Sequence, residues 1–409
     1  MTPRPESRPW PFALVLLAAG GCFALTMGTR QSLGLFIATI NGHTGLGLAS
    51  VSLAFAFGQL WWGLTQPLSG ILADRYGVGR VLLVGLLMVS LGLAVTPYAH
   101  STSMLILAIG VLGAGGAGLA GPSVLMAATV RLIPPARRGI ATGIVNAGGS
   151  FGQFVFVPIA QGLSAAFGWI VALQGMAALV LLALPAAWVL QGRPAAAAAG
   201  GPARESTGTV VSRALADRNY RLLCAGFFVC GFHVAFIATH LPGVVASCQL
   251  SPAVGAWSLA VVGLFNIAGS LSIGWALSHR GGLWRMKSLL ALTYAARTVA
   301  VTAFVLAPKT PVTMLLFAAV IGFTYLSTVP PTAGLVARFY GPAHMGTLFG
   351  IVMVAHQAGG FLGAWLGGRL FEANGNFDLM WAIDIALAVG AALIHLPIRE
   401  ERPAAAVAA

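Results

Sequence analysis

Long apolar runs alternate with short polar segments along almost the whole chain. Each run is near the ~20 residues that an α-helix needs to cross the hydrocarbon core of a bilayer. The first run is too long for a signal peptide and similar runs follow it, so we interpret it as a membrane span. The pattern predicts twelve spans, at residues 11–36, 48–72, 81–98, 104–130, 139–163, 169–190, 220–245, 256–277, 286–306, 312–336, 346–371 and 379–396.

A charged turn at Gly70–Arg80 separates the second and third runs. We expect Gly77 and Gly79 to adopt the φ > 0 conformations that reverse a chain tightly. A degraded copy of this turn lies about half a chain later, at Gly274–Gly281, where Gly274 matches Gly70 and Gly281 matches Gly77 at the same spacing. The two copies indicate that the chain contains an internal repeat.

A second pair of matching segments extends the repeat. Each segment has one arginine followed by two glycines, and the spacing of these residues is the same in both segments. The segments are Arg131, Gly139 and Gly143, and Arg338, Gly346 and Gly350. The longest loop is rich in alanine, glycine, proline and arginine, which is typical of a flexible tether. We therefore expect a six-helix half at 1–190, a cytoplasmic linker at 191–219, a second six-helix half at 220–398 and a cytoplasmic tail at 399–409.

The composition is that of a membrane protein. Of 409 residues, 58% are hydrophobic and 8% are charged, whereas about 25% of the residues in a soluble domain are charged. The net charge of +13 does not indicate nucleic-acid binding, because 18 of the 22 basic residues fall in the N-terminus, the even-numbered loops and the C-terminus. This asymmetry predicts that both termini are cytoplasmic, and we expect the protein in a bacterial inner membrane.

Two related six-helix halves joined by a cytoplasmic linker resemble the major facilitator transporters. The turn at Gly70–Arg80 resembles the signature cytoplasmic loop of that superfamily. The resemblance implies an all-α polytopic membrane protein with two pseudo-symmetric bundles. It also implies a cytoplasmic gate formed by Asp74, Arg75 and Arg80, in which Asp74 lies near the N-terminus of the eleventh helix. A helix N-terminus favours an anion there; a merely solvated turn is the alternative.

Within that superfamily, two segments resemble the branch of monocarboxylate porters and oxalate:formate exchangers. They are Arg30–Phe36 and Gly139–Ser150, and Phe167–Trp169 adds to the second. The porters carry an aspartate and, four residues later, an arginine in the eighth helix, where this chain has Asn266 and Ser270. Proton symport of a lactate-like anion therefore does not follow from the resemblance alone.

Polar side chains inside the membrane are costly, so they are candidates for function. We expect Arg30 to face the transport cavity as an anion site, although an arginine that reaches the outer surface is the alternative. The other substrate-binding candidates are His240, Asn266, His356 and Gln357. His356 stands nearest to the position at which the exchangers place a lysine in the eleventh helix.

Three further residues complete the intramembrane candidates. His233 and His356 are candidates for proton coupling, because histidine changes its charge most readily between about pH 5 and 8. The alternative is a neutral histidine that hydrogen-bonds to a neighbouring helix. Arg297 and Asp384 lie on the ninth and twelfth helices, which are outer supports in this fold, and we expect them to form a structural ion pair.

The sequence favours a secondary transporter that works by alternating access. Its expected cargo is a small organic anion, moved with protons or by exchange, and efflux of a drug or lipophilic metabolite is the alternative. The chain has no nucleophile–base pairing, metal-ligand cluster or soluble catalytic domain. We therefore expect no enzyme activity, no metal, no cofactor and no nucleic-acid partner. The expected partners are a small carboxylate, protons and the lipid bilayer, and we expect a monomer.

Overall fold

The computed structural model describes residues 10–134, 137–191, 207–278, 285–341 and 344–400. In that part of the chain twelve helical spans are long and apolar enough to cross a bilayer, which confirms the predicted fold class. Their bounds are α1 Phe12–Thr44, α2 Leu48–Tyr76, α3 Val78–Tyr98, α4 Thr102–Leu132, α5 Arg138–Phe167, α6 Trp169–Val189, α7 Arg218–Ser247, α8 Pro252–Ser278, α9 Met286–Leu306, α10 Pro311–Tyr340, α11 Met345–Asn374 and α12 Asp378–His395.

The first six and the last six helices form two bundles with separate hydrophobic cores. In the first bundle α1 packs along α5, and in the second α7 packs along α11. Gly152 and Gly359 lie 21 residues after the arginines that begin the two matching segments. A Cβ at Gly152 would overlap the Ala24 carbonyl oxygen, and one at Gly359 would overlap that of Phe228. The same close backbone contact therefore recurs in both bundles, as expected of a repeat.

The charged turn is shorter than the sequence suggests. α2 continues to Tyr76, so Asp74 lies in its last helical turn. Gly77 has the expected positive φ of 90°, but the expectation for Gly79 is wrong. Gly79 lies inside α3, where a Cβ would meet the side chain of Gln191. Its small size is needed for close packing between α3 and the end of α6, not for chain reversal.

The linker is not wholly irregular. Residues 192–206 lie outside the described residues, as do 279–284 of the second turn and 401–409 of the tail. Thr207–Ala216 is a helix, with Val210 and Ala214 buried against the second bundle. Asp217 then caps α7: one carboxylate oxygen accepts from the Asn219 N–H at 2.8 Å, and the other accepts from the Tyr340 hydroxyl at 2.8 Å. The prediction of a flexible tether is therefore wrong for the second part of the linker, which contains this helix.

α10 is interrupted near its centre. Its first segment ends at Thr324 and its second begins at Val329, so residues 325–328 are not helical. Pro330 and Pro331 stand in the first turn of the second segment, where a missing N–H is tolerated. Because neither proline can donate to the carbonyl four residues earlier, helical hydrogen bonding cannot continue through the preceding turn. We call residues 325–328 the α10 break.

The start of α1 and the end of α12 lie on one side of the molecule, because the described residues contain an even number of spans; we call it the terminal side. The two bundles contact each other from the opposite side to about the membrane centre. At the far surface Glu372 Oε2 accepts a hydrogen bond from the Ala49 N–H at 2.7 Å. Near the centre, Gly63 of α2 packs directly on the side chain of Gln357 of α11.

Beyond this level the bundles separate. Gly70 and Gly350 lie seven residues closer to the terminal side than Gly63 and Gln357, on the same faces of α2 and α11, and both have open space where a Cβ would stand. Gly143 of α5 is likewise open. The structure is therefore closed on the far side and open toward the termini.

Candidate functional site

A cavity with an empty volume of about 550 Å³, including its open mouth, lies on the far side of the membrane centre. Helices α1–α4 form most of its wall and α7 closes it. Most of its lining is apolar, and a few polar groups converge on it, which is typical of a small-molecule site. The polar lining side chains are Thr29, Arg30, Gln31, Gln59 and Thr239.

Arg30 is the charged group of this cavity. Its guanidinium carbon lies 4.7 Å from the centre of the Trp62 ring, a cation–π arrangement. Among the described residues, no carboxylate oxygen lies within 4.0 Å of a nitrogen of Arg30. The buried indole nitrogen of Trp62 also has no hydrogen-bond partner. The cavity therefore presents a cation, and the tryptophan that stacks on this cation has a buried donor without an acceptor.

The local structure of α1 explains how Arg30 is held. The hydroxyls of Thr29 and Ser32 donate back to the carbonyls of Leu25 at 2.7 Å and Gly28 at 2.8 Å, so neither hydroxyl proton is directed into the cavity. Immediately afterwards α1 tightens into a 3₁₀ turn, in which Gly34 packs on a carbonyl oxygen of α7. This close contact places Arg30 where the two bundles meet.

Gln31, the neighbour of Arg30, joins the two bundles. Its amide donates to Gln153 Oε1 at 3.3 Å, and Gln153 donates to the Leu259 carbonyl of α8 at 2.9 Å. Sequence reasoning missed Trp62 and Gln153, although Gln153 is a polar side chain inside a predicted span and could have been found by that signal. Their relation to Arg30 exists only across helices.

Three predicted substrate-binding residues have packing contacts in this conformation. His240 Nε2 bonds the Ala364 carbonyl at 2.7 Å, which ties α7 to α11. Asn266 donates to Ser150 Oγ at 2.8 Å. Gln357 is wedged between the bundles, and its Nε2 has no hydrogen-bond partner. Their assignment to substrate stays a prediction, and the structure brings none of the three to the Arg30 cavity.

The two proton-coupling candidates have different surroundings. The His356 ring lies 4.8 Å from that of Phe227, and neither of its nitrogens has a hydrogen-bond partner. His233 Nε2 lies 3.3 Å from Asp384 Oδ1, although the two groups are not aligned as a hydrogen bond. In the described part of the chain, no three His, Cys, Asp or Glu side chains are grouped to hold a metal ion.

Arg297 and Asp384 do not form the expected direct ion pair. Arg297 Nη2 donates instead to the carbonyl oxygens of Thr324 and Tyr325, the second at 2.7 Å. The helix is interrupted at the α10 break, so these carbonyl groups have no helical N–H donor and can accept from the guanidinium. The carboxylate of Asp384 already faces His233 and is therefore the poorer acceptor. The sequence correctly indicated two buried charges but not which groups they would meet.

The cytoplasmic-gate residues lie on the terminal side. Asp74 Oδ1 accepts from Arg131 Nη2 at 2.5 Å, and both residues belong to the first bundle. Arg75 is exposed and its guanidinium carbon lies 5.3 Å from the Tyr76 ring centre; Arg80 is exposed as well. Contact of Asp74 with the start of α11 stays a prediction for a conformation closed on this side.

Comparisons with known proteins agree with this architecture. The family model of the Major Facilitator Superfamily matches residues 19–364 and 223–408. Monocarboxylate transporter 13 of Rattus norvegicus is 26% identical over 400 residues, which cover 94% of this chain and 88% of that protein. An uncharacterized MFS-type transporter of Bacillus subtilis, YcxA, is 25% identical over 383 residues, covering 91% of this chain and 92% of its own.

Solved structures share the fold. A point mutant of the nucleoside transporter NupG superposes with a TM-score of 0.78 at 16% identity and covers 95% of this chain and all (100%) of its own. A bacterial homologue of the human lysosomal transporter Spinster, in an inward-facing and unoccupied conformation, gives 0.72 at 15% identity over 96% of each chain. With two six-helix bundles and a family match along nearly its whole length, this chain belongs to the Major Facilitator Superfamily.

Proposed function

We propose that this protein moves a small organic monocarboxylate by alternating access. The observation that carries the proposal is Arg30, a cavity-lining arginine with no carboxylate partner among the described residues. A half-buried guanidinium inside the membrane without a counter-ion is unfavourable unless a ligand supplies the negative charge. A planar carboxylate matches the guanidinium fork, because it can accept two parallel hydrogen bonds from it.

The rest of the cavity favours a single negative charge on an apolar body. Leu33, Phe55 and Ile109 line it beside the polar groups. A dicarboxylate would bring a second charge against these apolar side chains, and its desolvation would not be repaid. The resemblance to proteins named monocarboxylate transporters, at about one quarter identity, supports the same substrate class.

We assign the terminal side to the cytoplasm, because the basic residues concentrate there. The structure is then inward-facing, and Arg30 lies close to the seal on the outer side. Coupling to protons or exchange of one anion for another would drive the cycle, with His356, His233, His240, Asn266 and Gln357 still candidates for roles in other conformations. We expect the protein in the cytoplasmic membrane of a bacterium, acting as a monomer.

Thermal unfolding of the purified protein tests the substrate class. A ligand at about 100 times its Kd stabilises the state that it binds by about 2.7 kcal/mol. Acetate, pyruvate, lactate and benzoate represent monocarboxylates, succinate a dicarboxylate, and tetraphenylphosphonium a lipophilic cation. We expect at least one monocarboxylate to raise the unfolding temperature and succinate not to do so. Stabilisation by tetraphenylphosphonium alone would instead support efflux of a lipophilic compound.

The gating proposal predicts opposite effects for Asp74→Asn and Glu372→Gln. In the outward-facing state Asp74 would contact the N-terminus of α11; its loss should therefore enrich the inward-facing state. Glu372 binds the N-terminal Ala49 N–H of α2 in the present state, so its loss should enrich the outward-facing state. Each such contact contributes about 0.3–1 kcal/mol, or up to fivefold in the population ratio.

The readout is the maleimide labelling rate of a cysteine introduced at Asn146. This residue is exposed and lies one turn from Ser150 on the same face of α5, toward the terminal side. Closure of that side would cover it. Arg369→Gln, at an exposed site on α11, is the control expected to leave the rate unchanged. Equal rates in Asp74→Asn and in the unmodified background would rule out a gate role for Asp74.

A further inference from the structure

Three ionisable side chains meet inside the second bundle, away from the Arg30 cavity. Asp384 of α12, His233 of α7 and Arg297 of α9 are 1%, 4% and 2% exposed. Three helices thus each contribute one such group to a region from which water is excluded. Burial of this kind is costly and in membrane proteins commonly marks a functional group.

The pairing within this group is incomplete. Asp384 Oδ1 and both ring nitrogens of His233 lack a hydrogen bond, although Oδ1 and Nε2 are 3.3 Å apart. Arg297 also retains one nitrogen, Nη1, without a partner. An ionised carboxylate beside a neutral ring can bind one proton, which the two groups would share across this 3.3 Å distance after a small rotation of the ring. The pair is therefore a candidate proton-binding site.

The charge of this pair acts on Arg297. When Asp384 is ionised it attracts the guanidinium, and when the carboxyl group is neutral this attraction disappears. The carbonyl oxygens of Thr324 and Tyr325 then remain as its acceptors. In the structure Arg297 is bonded to these carbonyls and not to Asp384, which is the arrangement expected when Asp384 is neutral.

Arg297 reaches the transport machinery through the α10 break. The break is also held by Asn266, whose Oδ1 accepts from the Leu326 N–H at 3.1 Å and whose Nδ2 donates across the bundle interface to Ser150 at 2.8 Å. The hydroxyl of Tyr325 donates to the Val234 carbonyl of α7 at 2.9 Å. A change at Arg297 therefore reaches the bundle interface through one short segment.

We propose that Asp384 and His233 together bind the coupling proton, and that Arg297 transmits its presence to the α10 break. Proton binding turns Arg297 toward the break and stabilises the structure seen here. Proton release lets ionised Asp384 draw Arg297 away, which loosens the break and the Asn266–Ser150 contact. Both groups are sealed from water in this conformation, so the proton exchanges during the conformational change. The role of this proton in symport rests on the proposed function. The dependence of the conformation on pH does not rest on the proposed function.

Other titratable groups face this region and have to be separated from it. Tyr294 of α9 donates to the Gly226 carbonyl at 2.5 Å, and Cys230 of α7 lies 3.1 Å from Thr328 Oγ1 and 3.7 Å from Arg297. His395 of α12 bonds the Ala391 carbonyl at 2.6 Å and stacks on Tyr294. His356 of α11, without a hydrogen-bond partner, is the main competing titratable group.

The test measures labelling of the Asn146→Cys protein in detergent, with no carboxylate present. The native cysteines Cys224 and Cys248 are replaced by serine, and buried Cys22 and Cys230 remain. Each rate is divided by that of the SDS-unfolded protein at the same pH, which removes the intrinsic pH dependence of the thiol. We expect labelling to be faster at about pH 5 than at about pH 8, by roughly fivefold or more.

Asp384→Asn should give the fast rate at every pH, because asparagine resembles the neutral carboxyl group. His233→Gln should reduce or abolish the pH response and serves as a second variant if Asp384→Asn does not fold. Two variants on α12 serve as matched controls: Asp378→Asn, at an exposed residue, and His395→Gln, at a hydrogen-bonded histidine. Both are expected to retain the pH response. A normal response in Asp384→Asn, or its loss in His356→Gln alone, would overturn the proposal. Neither result depends on whether the cargo is a carboxylate.

Discussion

Replacement of Arg30 by alanine is expected to abolish binding of small carboxylates. A carboxylate that enters the cavity loses its hydration, and Arg30 is the charged group of the lining that replaces it. Truncation of one partner of a buried charge pair costs about 2–5 kcal/mol. At 1.4 kcal/mol for each tenfold change, this corresponds to a loss of about 30-fold to more than 1,000-fold in affinity. The measurement is isothermal titration with the carboxylate that gives the largest thermal stabilisation.

Arg30→Lys separates charge from geometry. Lysine keeps the positive charge but cannot form two parallel hydrogen bonds or stack flat on Trp62, so we expect intermediate affinity. Arg369→Ala is the control, because Arg369 is exposed at the far end of α11. Normal carboxylate binding by Arg30→Ala would place the anion site elsewhere and remove the main support for the proposed function.

Replacement of Arg297 by glutamine is expected to destabilise the protein strongly. Glutamine is too short to reach both carbonyls at the α10 break, and the change leaves Asp384 without a nearby cation. A buried carbonyl group that loses its hydrogen-bond donor costs about 1–3 kcal/mol, and both of these carbonyl groups lose Arg297. The unfolding temperature in detergent should fall clearly, whereas Arg285→Gln should have little effect, because Arg285 is exposed at the start of the same helix.

The double variant Arg297→Gln with Asp384→Asn identifies the source of this loss. If the uncompensated charge of Asp384 contributes, its neutralisation should recover part of the stability, so the two effects should not add. Strict additivity would show that Arg297 acts only through the carbonyls of the break. In that case Arg297 would stabilise α10 without sensing Asp384, and the transmission step inferred above would fail.

The main architecture follows from local patterns in the chain. Hydrocarbon excludes unpaired backbone groups, so an apolar run of sufficient length must form a helix whatever its neighbours are. The twelve predicted runs match the twelve helical spans closely, and their main differences are at the ends, as with Asp74, which lies in α2 and not in a loop. Charged ends are harder to predict, because a helix can extend into water at little cost.

Arg30 was recognisable as a candidate for the same reason. A charge within an apolar run is rare and costly, so it stands out without any structure. The surroundings of Arg30 could not be predicted from the sequence. Arg30 stacks on Trp62 and has no nearby carboxylate among the described residues, and both features depend on how α1 and α2 approach each other. The sequence indicated that a cation lies in the membrane, and the structure showed that the cation lines a cavity.

The pairing of the buried charges shows most clearly what cannot be predicted from the sequence. Hydropathy marks His233, Arg297 and Asp384 as unusual, but it contains no information on their distances, because helices that lie far apart along the chain meet only after packing. The break before the prolines of α10 frees carbonyl groups that compete with Asp384 for Arg297. Helix formation is a local property of the chain, so the sequence was enough to predict it. Charge pairing is a competition among groups from several helices, and packing in three dimensions settles it.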